Sequence, residues 1–163
     1  MIEYYPMKDI FISLAKAVAT VFYVGFIPFA PGTFGTLVGM VFVWVARPSM
    51  TCQVIVLAAI LIIGTWTSSV AEKAFGQKDC RYIVIDEFVG YLCSIIFLPL
   101  TPVFMIAAFF LFRFFDILKP SPIRRIEKIG GGSGIMLDDV AAGVITNLLL
   151  QLLRIVQESK TFH

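Results

Sequence analysis

Phe88-Val89-Gly90-Tyr91-Leu92-Cys93-Ser94-Ile95-Ile96-Phe97-Leu98-Pro99-Leu100-Thr101-Pro102-Val103-Phe104-Met105-Ile106-Ala107-Ala108-Phe109-Phe110-Leu111-Phe112 runs without a single charge. A helix crossing a bilayer needs roughly 20 apolar residues, and this stretch is long enough for one. Pro99 and Pro102 argue against a straight crossing. Each removes a backbone N–H and clashes with the preceding turn, so the stretch is predicted to form two short helices folded into a hairpin. A hairpin returns the chain to the side it left. Asp86-Glu87 before it and Arg113-Phe114-Phe115-Asp116-Ile117-Leu118-Lys119-Pro120 after it then meet on one face.

The rest of the 163-residue chain has the same character. It is 59% hydrophobic and 15% charged, with a mean hydropathy of +0.92. A soluble domain carries about a quarter charged residues, so the solvent implied here is lipid. In lipid every backbone polar group must be satisfied internally, which leaves helices or a closed barrel. Period-2 alternation is absent. The expected fold is therefore all-α: one compact multi-helix integral membrane domain over residues 1–163, built from short and broken transmembrane helices. A net charge of +2 gives no support to a nucleic-acid partner. Cys52, Cys80 and Cys93 match no zinc spacing, and Cys52 and Cys93 lie in apolar runs as packing residues. No cleavable signal is expected at Met1–Asp9, where acids and bases mix.

Working outward from the hairpin, a first helix is predicted over Ile10–Ile27, a loop at Pro28–Thr36 and a second helix at Leu37–Ala46. After the turn Arg47-Pro48-Ser49 comes a third helix, Cys52–Ala71, and then a polar connection, Glu72–Arg81. The most charged part, Arg113–Ser133, ends in Gly130-Gly131-Gly132-Ser133-Gly134, read as a hinge because no Walker lysine follows. A last helix is predicted from Val140 to about Val156. Counting crossings puts Lys73, Lys78, Arg81, Arg113, Lys119, Arg124, Arg125 and Lys128 on one face. Lys8 and Arg47, with Lys160 and Arg154 if the last helix crosses, lie on the other. The excess of basic residues makes the crowded face cytoplasmic.

Two acid pairs share a pattern. Asp86-Glu87 is followed one turn later by Gly90, and Asp138-Asp139 by Ala142 and Gly143. Small residues let helices approach closely, so the pairs are expected to face each other across a helix contact. Acids at helix starts also serve as simple caps. Two pairs plus Asp116 on one membrane face exceed what capping requires, and ionisable groups in a membrane read as functional. Carboxylates from three segments suit a hard cation such as Mg²⁺, which takes oxygen ligands and keeps water and phosphate in its shell. Arg113, Asp116 and Lys119, spaced i, i+3, i+6, form an adjacent stripe in which two cations flank an acid, as a bound phosphate beside a metal requires. A snorkelling helix end with an internal ion pair gives the same spacing. Pro31-Gly32-Thr33-Phe34-Gly35-Thr36 offers hydroxyls and free N–H groups at a helix start, as an anion site or as a plain turn and cap. The only histidine is His163, so histidine chemistry is excluded, and neither C-x5-R nor D-x-D phosphatase signatures occur.

P-G-T-F-G-T at 31–36, D-E-F-V-G at 86–90, F-R-F-F-D-I-L-K-P at 112–120 and G-I-M-L-D-D-V-A-A-G at 134–143 together resemble the phosphatidylglycerophosphatase A family. They occur in the family's order over about Pro28 to Gly143. The resemblance implies a Mg²⁺-dependent lipid phosphatase of the bacterial inner membrane that releases phosphate from phosphatidylglycerophosphate. Asp86, Glu87, Asp116, Asp138 and Asp139 would be its catalytic and metal-holding acids. Thr33, Thr36, Arg113 and Lys119 would bind phosphate. The partner is a membrane phospholipid; the sequence carries no signal of oligomeric state. Ser121 stands where the family usually has tryptophan, which removes an aromatic from that motif but keeps Lys119 and both prolines. Two other classes compete. A CDP-alcohol phosphotransferase would need a longer acid motif that this chain lacks. A small cation transporter would need polar groups through the midplane rather than at one face.

Overall fold

The computed structural model describes residues 6–78, 80–126 and 131–161; Lys128, Gly130 and His163 lie outside them. Seven α-helices account for the described chain, and no strand occurs among these residues. They are α1 (Pro6–Ala19), α2 (Pro31–Ala46), α3 (Met50–Phe75), α4 (Ile85–Ile95), α5 (Pro102–Leu118), α6 (Ser121–Ile126) and α7 (Gly131–Thr161), with a 3-10 turn at Val24–Phe26. Two helices, over Met50–Phe75 and Gly131–Ser159, are long and apolar enough to cross a membrane.

The hairpin forms as expected. α4 is the buried centre, with α7 and α2 packed on it most extensively and α3 and α5 completing the surround. Its sequence explains this: Ile85, Phe88, Val89, Tyr91, Leu92 and Ile95 are apolar on all sides, as a helix enclosed by others must be. Thr101 accepts the Phe104 N–H and Pro102 opens α5. The end of α4 leaves carbonyls without partners inside the helix. Asn147 of α7 reaches across, its Nδ2 donating to the carbonyls of Ser94 at 3.1 Å and Ile96 at 2.8 Å. Replacing Asn147 by Leu strands both oxygens. A loss of about 1–3 kcal/mol is expected, the desolvation penalty of an unsatisfied buried polar group. Thermal unfolding in detergent would read it, and an unchanged midpoint would mean that the carbonyls find another donor.

Several boundaries differ from the sequence reading, the largest for identifiable reasons. The first helix stops at Ala19, not Ile27. Phe22 N–H bonds to the Ala17 carbonyl and Val21 N–H to that of Val18, a Schellman closure with Val21 in the left-handed region at φ 47. Apolar composition hid this stop, since no glycine marks it. The 31–36 segment is not a loop but the first turns of α2, with Pro31 at the first helical position. The third helix runs on through Glu72 and Lys73 to Phe75 and closes at Gly76. The last helix starts at Gly131 rather than Val140. Gly132 is a close contact rather than part of a hinge: a side chain there would run into the backbone of Thr65 and Ser69, and Gly132 N–H donates to Ser69 Oγ at 3.2 Å.

Candidate active site

The acids come together through the predicted contact. Gly90 and Gly143 lie where α4 and α7 cross, and a Cβ on Gly143 would meet the Gly90 carbonyl. One turn back along α4 stand Asp86 and Glu87; one turn back along α7 stands Asp139. Oxygens of Asp86, Glu87 and Asp139 all lie within 4.8 Å of one another. Asp138 and Asp139 are not at a helix start, as predicted, but in the third turn of α7, so dipole capping gives no account of them. They are 5% and 3% exposed, and Asp116 is 9% exposed. These values set them apart from the solvated acids of a protein surface.

Cations hold part of this charge. Arg113 Nη1 lies 2.5 Å from Asp116 Oδ2, one helical turn along α5, and 3.8 Å from Glu87 Oε1. Lys119, the residue that ends α5, places Nζ 2.7 Å from Asp138 Oδ2. Its left-handed backbone, φ 41, turns the chain out of the helix and toward α7. A side chain at Gly32 would collide with the Glu87 carboxylate and Arg113, so the start of α2 closes directly over this pair. Asp86 and Glu87 open α4 in its first turn, outside both long helices. Burial, then the charges of Glu87 and Asp139, push Asp86 well above the usual carboxylate range. Burial also raises Glu87, with Asp116 adding to the effect and Arg113 opposing it.

These groups line a cavity of about 330 Å³, together with Ala30, Pro31, Cys80, Arg81 and Ile83. Five carboxylates and three cations line it, which leaves two negative charges in excess. Four buried carboxylate oxygens have no hydrogen-bond partner among the described residues: Asp86 Oδ1, Glu87 Oε2, Asp138 Oδ1 and Asp139 Oδ2. Buried carboxylate oxygens without donors are costly, and oxygen-only ligands in a tight group are what a hard divalent cation takes. The donor set and the excess charge fit one such ion.

Of the residues singled out in the sequence, Asp86, Glu87, Arg113, Asp116, Lys119, Asp138 and Asp139 gather here. Thr33 and Thr36 do not line the cavity. Thr36 is fully buried, and its hydroxyl donates to the Gly32 carbonyl at 3.0 Å, so it is a packing residue of α2 rather than a phosphate ligand. Arg81 was placed on this face but not among the site residues; its position five residues before Asp86 was the available signal.

Comparison with known proteins agrees with the geometry. The phosphatidylglycerophosphatase A family model matches residues 17–154. A putative phosphatidylinositol-3-phosphatase of Bacteroides thetaiotaomicron is 37% identical over 156 residues, 86% of this chain and 94% of that protein. The phosphatidylglycerophosphatase A of Haemophilus influenzae is 37% identical over 149 residues, 88% of this chain and 91% of the relative. That of Escherichia coli is 37% identical over 126 residues, 75% and 73% of the two chains. No solved structure matches.

Proposed function

Because the chain belongs to the phosphatidylglycerophosphatase A family and is a phosphatase, we propose that it hydrolyses the terminal monoester of phosphatidylglycerophosphate, using Mg²⁺, to give phosphatidylglycerol and inorganic phosphate. The observation that carries this reading is the convergence of Asp86, Glu87 and Asp139 on one point beside Arg113 and Lys119. Acids alone would repel a phosphate; acids around a cation, flanked by bases, attract one.

In this reading Asp86, Glu87 and Asp139 hold the ion. When bound, Mg²⁺ supplies charge neutralisation and a polarised water for in-line displacement. Arg113 and Lys119 have two roles. Each fixes an acid, Asp116 or Asp138, and each brings a positive charge to the cavity that attracts phosphate oxygens. Asp138 gives Oδ2 to Lys119 and keeps Oδ1 without a partner. That oxygen is suited to take the proton from the attacking water. Water oxygen bonds to phosphorus as its proton passes to Asp138, the bond from phosphorus to the glycerol oxygen breaks, and Asp138 gives up an equivalent proton to that oxygen, so the acid cluster regains its starting charge. The lipid's chains stay in the bilayer. The site faces the cytoplasm of a bacterial inner membrane, a placement supported by the basic residues gathered around it.

The test is phosphate release by purified protein in detergent, with Mg²⁺ or with EDTA. Release from phosphatidylglycerophosphate that EDTA abolishes is the expected result; none from folded protein would overturn the reading. The relative described as a putative phosphatidylinositol-3-phosphatase favours a second lipid. Phosphatidylinositol 3-phosphate and phosphatidic acid therefore belong in the same assay, and preference for the inositol lipid would move the substrate while keeping the chemistry.

A further inference from the structure

Arg81 lines the acidic cavity, yet it differs from the other two cations there. Arg113 and Lys119 are bound to carboxylates. Arg81 is exposed and makes no ion pair among the described residues; its contacts are with Tyr82. The guanidinium lies over the Tyr82 ring, 5.1 Å from its centroid, and a terminal nitrogen reaches the Tyr82 hydroxyl at 3.5 Å. Tyr82 is itself held. Its ring stacks on Phe26 at 4.9 Å and tilts against Phe75 at 5.7 Å. Phe75 in turn carries Lys16 Nζ 4.5 Å above its ring. A Cβ on Gly25 would run into the Tyr82 carbonyl, so the 3-10 turn lies flat against this segment. The cation is thus held on an aromatic stack at the cavity rim, with most of its donors open.

A tyrosine in that stack with Lys16 and Arg81 beside it suits the membrane interface. Tyr and other amphipathic aromatics with adjacent Lys and Arg collect where acyl chains meet head groups. The phosphodiester of a bilayer phospholipid lies at that same level. In the proposed substrate the reacting monoester stands one glycerol beyond the diester. A lipid whose monoester sits among the acids and Arg113 therefore leaves its diester at the rim.

We infer that Arg81 binds the non-reacting phosphodiester of the lipid, so that the enzyme recognises substrates carrying a monoester beyond a diester. Guanidinium suits this role, because its planar fork matches two phosphate oxygens and stays charged while stacked on a ring. Arg81 touches substrate away from the bond that breaks, so its contribution is uniform binding and appears in KM rather than kcat.

This inference rests on the phosphatase reading, and the experiment separates the two. Wild type and Arg81→Gln are assayed with phosphatidylglycerophosphate and with an analogue whose internal diester is methylated to a neutral triester. Wild type should lose roughly tenfold or more in kcat/KM on methylation, the worth of a charge-assisted contact, mostly through KM. Arg81→Gln should lose as much on the natural diester and nothing further on methylation, while Arg81→Lys recovers part of the loss. Detergent melting checks that Arg81→Gln is folded, as an exposed position predicts. Losses that multiply, or an unaffected Arg81→Gln, overturn the role of Arg81 and leave the phosphatase intact. A wild type that releases phosphate from neither lipid overturns both.

Discussion

Asp139→Asn is expected to abolish phosphate release while leaving the protein folded. The substitution keeps the size of the side chain and one of its oxygens but removes its charge. Asp139 is 3% exposed, Oδ2 has no partner, and its ligand atom belongs to the tight group with Asp86 and Glu87. A bound ion contributes several kcal/mol of transition-state charge stabilisation, so losing it lowers the rate by roughly a thousandfold or more. Stability should move differently. Without metal, wild type carries mutually repelling buried acids, and removing one negative charge relieves that repulsion. In EDTA the variant should therefore melt at or above the wild-type temperature. Added Mg²⁺ should raise the wild-type midpoint, because an ion that binds only the folded state stabilises it, and should leave the variant's midpoint nearly unmoved. Full activity in Asp139→Asn would remove that carboxylate from the site. A variant that fails to fold in EDTA would mean that the charge has a structural partner instead.

The acid cluster was legible in the sequence because charge is scarce in this chain. Against so apolar a background, Asp86-Glu87, Asp116 and Asp138-Asp139 stand out, and two prolines in residues 88–112 suffice to return the chain to one face. The glycines were harder to read. Gly32 and Gly35 look like loop residues beside Pro31, yet with Gly39 they form one stripe of α2 that lies against Glu87, Val84 and Tyr91. Gly132 likewise looks like part of a hinge and is a close contact with α3. Local propensity favours a turn at such positions; close helix packing in an apolar fold outweighs it, since glycine alone lets backbones meet. The dual engagement of Arg113 and Lys119 was not legible either. Spacing along α5 placed them near Asp116, but the Lys119–Asp138 pair spans nineteen residues and depends on where α5 ends. Arg81 acquires meaning only through Tyr82 and the ring of Phe26, far apart in sequence.

Gly143→Val should damage both the fold and the chemistry, and by one cause. A Cβ there would meet the Gly90 carbonyl and sit 2.8 Å from Cys93 Cβ. Neither is the end of a flexible side chain that can swing away, so α4 and α7 must separate. Overpacking of this kind costs about 1–3 kcal/mol, and more where backbone is the obstacle. The midpoint of thermal unfolding in detergent should fall accordingly. The acids report the same movement. Asp139 lies one turn from Gly143, and Asp86 and Glu87 one turn from Gly90, so parting the helices parts the ligands. Metal sites lose affinity steeply with small displacements of their oxygens, so the Mg²⁺ concentration for half-maximal phosphate release should rise, beyond any loss of folded protein. Val144→Leu, on the exposed side of the same turn, should change neither quantity. If Gly143→Val melts and turns over like wild type, α4 and α7 do not close on each other at this point, and the meeting of the two acid pairs needs another cause. If it melts lower but keeps the wild-type metal requirement among folded molecules, the seam supports the fold without setting the distance between Asp139 and the α4 acids.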